Sequence, residues 1–337
     1  MGTVAVMGAG AWGTSLALLH ARAGEDVRLW ARDPALAERV AATRRNAAYL
    51  PDAELPPDVV VTADPERALA GADLVALAVP SVGLPDQLAA WGDRVPPDAT
   101  LASLVKGLDV ATGRFASAVI ADVLACDPDR VVAVSGPNLA AECAAGAPSA
   151  TVAAGPDLGR GQRVQAALMT PAFRVYTNPD RLGAEVGGVV KNVLAIVAGA
   201  AHGLGHGANT TSFLITRGLA EMTRLGVALG ADPLTFQGLA GVGDLVATCT
   251  SPASRNRTVG ERLGRGERLD DVLASMDQVA EGVRAAPAVA ALAAAHGVDM
   301  PMVAAVVAVC RDGADIGEVA GALLTRPPRS ERWGLGA

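Results

Sequence analysis

The sequence predicts a doubly wound parallel α/β sheet in its N-terminal half and an all-α domain behind it, and three observations carry that expectation. The first is the stretch Val4-Ala5-Val6-Met7-Gly8-Ala9-Gly10-Ala11-Trp12-Gly13-Thr14, where an apolar strand runs into glycines spaced G-x-G-x-x-G and then into an apolar helix, Ser15 to Arg22. The second is the alternation of short apolar runs with helical stretches as far as residue 180. The third is the change after it: from Leu182 the chain is rich in Ala and Leu, with helical periodicity and no convincing strand.

Each glycine of the first stretch has a physical task. Gly8 permits the tight turn, Gly10 lets backbone amides approach a pyrophosphate, and Gly13 allows helix and strand to pack closely. The amides and dipole of the helix then face the phosphates. With 38 glycines in 337 residues, such a spacing arises easily by chance. Context gives it weight: it follows a strand, opens a helix, and leads to a second strand, Asp26 to Ala31, which completes a Rossmann-like βαβ unit.

Further strands are expected at Val59 to Thr62, Asp73 to Val79, Ala99 to Leu104 and Arg130 to Val134, with Ala150 to Ala154 and Phe173 to Thr177 extending the sheet. Helices are expected from Asp33-Pro34 to Arg45, near Pro65 to Ala70, Pro85 to Trp91 and Gly113 to Ala125, around Leu158 to Leu168, and from Leu182 to about Ala201. The turn-forming cluster Asn178-Pro179-Asp180 marks the domain boundary. This gives a dinucleotide-binding domain over 1–180, a helical substrate and catalytic domain over 181–326, and a mobile tail over 327–337 that opens with Pro327-Pro328.

A net charge of -7 and an aromatic content of 3% argue against nucleic-acid binding, so a phosphate must be met by local cations and helix ends. Cys126, Cys143, Cys249 and Cys310 form no C-x-x-C pair and read as reduced core residues. The first strand begins without a charged leader and no apolar run looks long enough to span a bilayer, so a cytoplasmic protein without membrane insertion is expected.

Chemistry concentrates at a few places. Arg32, at the end of the second strand, suits the 2′-phosphate of NADP(H); Asp33 beside it keeps NAD(H) open or serves as an N-cap before Pro34. Pro80, Ser81 and Lys106 follow apolar strands and fall on the cofactor edge of the sheet, where Lys106 could meet an anionic substrate. Gly136-Pro137-Asn138 repeats the arrangement, with Asn138 as N-cap and hydrogen-bond partner for a ligand. In the long helix, Lys191 leans back over Gly187 and Gly188, which would leave a ligand-sized space under its ammonium. Lys191 is therefore the expected proton-transfer residue, since desolvation and nearby cations lower a lysine pKa; close helix packing would explain the glycines alone. Asp244 follows a Gly-rich turn, and Ser254-Arg255-Asn256 gathers a hydroxyl, a fork-shaped cation and an amide that suit a phosphate, unless the segment is an ordinary capped helix beginning near Ser251-Pro252. His202 and His206 have metal-ligand spacing, but a Gly-rich loop and the lack of a nearby third ligand argue against a metal site.

In this order the segments resemble the NAD-dependent glycerol-3-phosphate dehydrogenase family over nearly the whole chain. The resemblance rests on the N-terminal fingerprint, Asn46-Ala47-Ala48-Tyr49-Leu50-Pro51, Lys106-Gly107, Gly136-Pro137, Lys191-Asn192-Val193, Ile215 to Met222, and Gly238 to Asn256; the last two blocks are highly specific. It implies NAD(P)H-dependent, reversible reduction of dihydroxyacetone phosphate to sn-glycerol 3-phosphate for glycerophospholipid synthesis, by a homodimer. It implies Lys191 as the catalytic lysine, with Lys106, Gly136, Asn138, Asp244, Ser254, Arg255 and Asn256 at substrate positions. On the cofactor side it implies Ala11, Trp12, Arg32, Tyr49, Lys106, Ala140, Arg255, Val279 and Glu281. Ala11 stands where Ser is common, Asn138 where many bacterial members have Ser, Ala208 for a usual Asp and Thr211 for a usual Lys; these affect local loop contacts. A reductase of a small hydroxy acid and a non-catalytic NADP(H) sensor are the other readings. Dependence of turnover on the substrate phosphate separates the first of these, and an intact Lys191 and Asp244 weigh against the second.

Overall fold

The computed structural model describes residues 2–276, 280–327 and 330. Two compact units result: residues 2–109 with 114–181, and residues 110–113 with the described residues from 182 on.

In the first unit the chain runs β1 (Thr3–Met7), α1 (Ala11–Arg22), β2 (Asp26–Trp30), α2 (Pro34–Thr43), β3 (Arg45–Asn46), β4 (Leu50–Glu54), β5 (Val60–Thr62), α3 (Pro65–Leu69), β6 (Leu74–Leu77) and α4 (Leu84–Trp91). It continues through β7 (Thr100–Ser103), α5 (Ala116–Val123), β8 (Val131–Ser135), α6 (Ala140–Ala145), β9 (Ser149–Ala154), α7 (Leu158–Leu168) and β10 (Phe173–Asn178). Eight strands form one sheet in the order β10-β9-β8-β7-β6-β1-β2-β5. Val4 pairs with Val27 on one side and Leu74 on the other, so β1 is where the strand order reverses. Ligands of such sheets sit beyond the carboxyl ends of the strands at that point.

The strands are near-continuous apolar runs because helices cover both faces. Val4 and Val6 pack with Leu16, Ala37 and Val164 of α1, α2 and α7, while Ala5 and Met7 pack with Leu69, Leu88 and Ile120 of α3, α4 and α5. Buried His20 ties α1 to α7, its Nδ1 2.8 Å from the Ala167 carbonyl; burial lowers its pKa to about 4, so the ring is neutral.

The sheet departs from the expected parallel run at one place: β8 pairs antiparallel with β9, and β10 follows β9 in parallel. The link over 136–148 contains only the six-residue helix α6, about 9 Å long. From the carboxyl end of β8 it brings the chain straight back beside that strand, Ala133 facing Ala154 and Ser135 facing Val152. The antiparallel ribbon β3–β4 is a further feature that the sequence reading did not contain. Arg44, left-handed at φ 58°, ends α2 and turns the chain into it, and its guanidinium holds the Leu55 and Val59 carbonyls.

The second unit contains α8 (Arg181–Gly203, from Leu182), α9 (Ala208–Ala228), α10 (Asp244–Thr250), α11 (Arg255–Gly264), α12 (Leu269–Ala274), α13 (Glu281–Ala295), α14 (Pro301–Cys310) and α15 (Ile316–Leu324), and no strand among the described residues. By length and a mean hydropathy of 1.5, α8 is apolar enough to cross a membrane, contrary to the expectation that no run qualifies. It is instead the core of its unit, with 94% of that apolar window buried. Its small residues let other backbone pass close: a Cβ on Gly199 would stand 2.0 Å from the Arg257 carbonyl oxygen of α11. Of the four thiols, Cys143 and Cys249 are core residues, whereas Cys126 and Cys310 are half-buried; none forms a disulfide.

Candidate active site

In the first unit the glycine turn lies at the carboxyl end of β1. Gly8 has φ +123°, and a Cβ there would stand 2.6 Å from the Ala78 carbonyl oxygen, on the segment that follows β6. A Cβ on Gly13 would stand 1.8 Å from the Gly8 carbonyl oxygen, so α1 can begin this close to β1 only through glycine. At Gly10 an added Cβ meets nothing within 4 Å. The turn is thus closed on its protein side and open at the residue that caps α1, the shape a pyrophosphate needs. Helix α1 starts at Ala11, earlier than expected, which places Ala11 and Trp12 in its first turn.

Asn46 holds this turn in place, a part the sequence reading did not assign to it. Its Nδ2 donates to the Ala9 carbonyl at 2.9 Å and to the Thr14 hydroxyl at 2.8 Å, and the residue is fully buried. It belongs to the β3–β4 ribbon, whose connecting loop carries Tyr49. Its signal lay in the Asn46–Pro51 block, although nothing in that block says which backbone it clamps. Arg32 is exposed two residues beyond β2, and Asp33 caps α2 by accepting from the Ala35 N–H at 3.0 Å.

Along the same edge Lys106, half-buried three residues past β7, donates to the Gly136 carbonyl at 3.1 Å. Gly136 has φ +154° and lies close against β9, a Cβ there falling 3.0 Å from the Thr151 Cα. Asn138 is not the expected N-cap: α6 starts at Ala140 behind Leu139, and the Asn138 amide donates to the Ala150 carbonyl at 2.9 Å.

In the second unit, Lys191 and Asp244 form a buried ion pair, Nζ to Oδ1 2.5 Å, with side-chain exposures of 8% and 2%. Lys191 Nζ also lies 3.0 Å from Thr248 Oγ1. Asp244 and Thr248 stand four residues apart on α10, one face of the helix, and the Thr248 hydroxyl donates to the Asp244 carbonyl at 2.6 Å. Thr248 lies within the Gly238 to Asn256 block, and its i, i+4 spacing behind Asp244 is the signal that finds it. A π-type turn over Leu239–Gly243 delivers Asp244 to this place, with Gly241 at φ -99°, ψ -105°. Such turns recur at functional sites. Burial pushes the neighbouring Cys249 thiol up to about 12, so it stays a thiol.

The expected ligand space beneath Lys191 is not there on the Gly187 side. A Cβ on Gly187 would stand 2.2 Å from the Ala240 carbonyl oxygen, so this glycine admits the π-type turn: close packing is its reason. The helix expected near Ser251-Pro252 begins later, at Arg255, with Ser254 as its N-cap, Oγ accepting from the Arg257 N–H at 3.3 Å. Arg255 therefore opens α11. Its pKa is lowered by desolvation, against which the Glu281 carboxylate at the start of α13 acts. The carboxamide of Asn256 is committed within the protein, to Asn192 and to the Gly282 N–H. Val279 lies outside the described residues. A cavity of about 500 Å³ in this unit, lined by residues such as Phe213, Glu221, Met302 and Leu323, includes neither Lys191 nor Asp244.

Comparison with known proteins gives the family. Residues 3–159 match the NAD-dependent glycerol-3-phosphate dehydrogenase N-terminus, and residues 180–320 match its C-terminus. The chain is similar to a glycerol-3-phosphate dehydrogenase [NAD(P)+] of Corynebacterium kroppenstedtii, 51% identical over 98% of this chain and 100% of that one. A protein of the same name from Mycobacterium leprae is 51% identical over 97% of both chains. The crystal structure of glycerol-3-phosphate dehydrogenase from Coxiella burnetii superposes with a TM-score of 0.91 at 35% identity, covering 96% of this chain and 99% of that one.

Proposed function

The chain belongs to the NAD-dependent glycerol-3-phosphate dehydrogenase family, and from that premise we propose how its own residues carry the reversible reduction of dihydroxyacetone phosphate to sn-glycerol 3-phosphate. NAD(P)H held at the glycine turn would supply a hydride for the ketone carbon. The glycine turn fits the cofactor's pyrophosphate, being open only at Gly10 and backed by the first-turn amides of α1 at Ala11, Trp12 and Gly13. Arg32 meets a 2′-phosphate when the cofactor carries one. Asp33, Tyr49, Lys106, Ala140, Arg255, Val279 and Glu281 complete the proposed cofactor contacts.

Lys191 gives a proton from Nζ to the developing alkoxide oxygen and takes it back in the reverse direction. The observation that carries this role is the buried Lys191–Asp244 pair, braced by Thr248, which holds the ammonium in one place and keeps it from bulk water. Arg255 and the first turn of α11, capped by Ser254, bind the substrate phosphate, to which Asn256 contributes its backbone N–H. Lys106, Gly136 and Asn138 offer further polar contacts to the substrate.

A homodimer in the cytoplasm, without nucleic-acid partner or membrane insertion, belongs to the same proposal. The net charge of -7 supports the lack of a nucleic-acid partner, and the burial of α8 within its unit supports the lack of membrane insertion. The test is oxidation of NADPH and NADH with dihydroxyacetone phosphate against unphosphorylated dihydroxyacetone. Rapid oxidation with the phosphate ester alone is expected; equal rates with both, or none with either, would overturn the assignment.

A further inference from the structure

Asn192 on α8, Asn256 on α11 and Gly282 on α13 hold one another in a single buried chain of hydrogen bonds. The Gly282 N–H donates to Asn256 Oδ1 at 2.9 Å, Asn256 Nδ2 donates to Asn192 Oδ1 at 3.0 Å, and Asn192 Nδ2 donates to the Gly188 carbonyl at 3.2 Å. A backbone donor closes one end and a backbone acceptor the other, so both carboxamides have only one orientation that satisfies every link. The packing is equally restrictive: a Cβ on Gly282 would stand 2.4 Å from the Asn192 carbonyl oxygen and 2.9 Å from Asn256 Oδ1. Both asparagines are under 9% exposed.

Each member directly follows a residue with a proposed part in the reaction: Lys191-Asn192, Arg255-Asn256, Glu281-Gly282. Successive helical residues are turned by about 100° around the axis, so locking one residue fixes the direction in which its predecessor points. We propose that Asn192 and Asn256 are positioning residues, and that the Asn192–Asn256–Gly282 chain sets α8, α11 and α13 in the one mutual rotation that aligns Lys191, Arg255 and Glu281. This rests on the functional reading above, and it gives the Asn256 carboxamide a task other than gripping the substrate phosphate. Removing any link frees three helices together, so the effects of separate removals overlap.

A double-mutant cycle of Asn192→Ala and Asn256→Ala tests it, read by NADPH affinity from fluorescence titration, by the split between kcat and KM, and by Tm. Each single change should weaken NADPH by at least ~5-fold and lower kcat, and the double variant should be no worse than the poorer single one, because residues in one network are not additive. Effects that multiply in the double variant, or an Asn256→Ala loss confined to the KM of the phosphate ester with Asn192→Ala silent, would overturn the proposal. Should the alanine variants fail to fold, Asn256→Asp keeps the link to Gly282 and breaks only that to Asn192. It should then reproduce the weakened NADPH binding, and normal binding by this variant would count against the chain. The NADPH cycle needs no turnover, so it separates from the functional reading: if the wild type ignores dihydroxyacetone phosphate, that reading fails while the cycle still reports on the network.

Discussion

Lys191 and Asp244, 53 positions apart in sequence, meet at 2.5 Å between α8 and α10 with almost no access to water. A carboxylate buried to this degree needs its cation, and the cation needs the carboxylate. Lys191→Met should lower kcat by at least ~10²-fold while NADPH still binds, since general acid catalysis contributes that much or more. It should also lower the unfolding free energy by ~3–5 kcal/mol, because Asp244 is left buried without a partner. The double variant Lys191→Met/Asp244→Leu separates the two effects: denaturant unfolding should show stability restored, and turnover should stay lost. If Lys106→Met abolishes turnover and Lys191→Met does not, the proton comes from the other lysine.

Arg32, exposed just beyond β2, stands where the sequence places the discrimination between cofactors. Arg32→Ala should raise the KM for NADPH more than that for NADH, by a selective loss of ~1.5–3 kcal/mol, the range for hydrogen bonds to charged groups. Parallel titrations with both cofactors decide it, and an equal loss would remove the 2′-phosphate from its role.

Arg255 is the first residue of α11, behind the Ser254 cap, so charge and helix end act at one place. Arg255→Ala should reduce kcat/KM for dihydroxyacetone phosphate by ~10- to 150-fold, since hydrogen bonds to charged groups contribute ~1.5–3 kcal/mol. Unphosphorylated dihydroxyacetone should stay nearly as poor a substrate as before. The same factor lost with both substrates would mean that Arg255 does not read the phosphate.

What was legible in the sequence depended on how local its cause was. The turn at Gly8, Gly10 and Gly13 is dictated by contacts within a few residues and one neighbouring strand, so spacing and context sufficed. The antiparallel direction of β9 is not encoded by its apolar run, which reads the same for either direction. The β3–β4 ribbon escaped because it is short and carries Pro51, and a proline counts against a strand unless that strand lies at an edge. Lys191 and Asp244 could each be singled out as polar residues among apolar ones. Their meeting, and the filling of the Gly187 face by the Ala240 carbonyl, depend on helix packing that no local pattern specifies. Asn256 shows the same limit, for its type suits a phosphate while its neighbours in space claim its carboxamide.

Glu221 makes the last prediction, and it concerns stability against pH. The side chain reaches from α9 to the start of α14, where both carboxylate oxygens lie 3.2 Å from the Met302 N–H, and the residue is 2% exposed. Burial raises its pKa from 4.5 to about 7, with the Met302 hydrogen bond and the Arg224 charge acting against that rise. Because the folded state holds this proton more tightly than the unfolded chain, the associated stability is complete below about pH 4.5 and is lost as pH rises through about 7. At ~1.4 kcal/mol per unit of pKa, the change across that window is about 3 kcal/mol. Glu221→Gln keeps a carbonyl oxygen for the Met302 N–H and cannot ionise, so it should be less pH-dependent and more stable than the wild type above pH 7. Urea unfolding of both proteins at pH 5 and pH 8 measures the difference. If the wild type loses no more stability than Glu221→Gln between those two values, the carboxyl titrates at its ordinary pKa and its burial does not govern it.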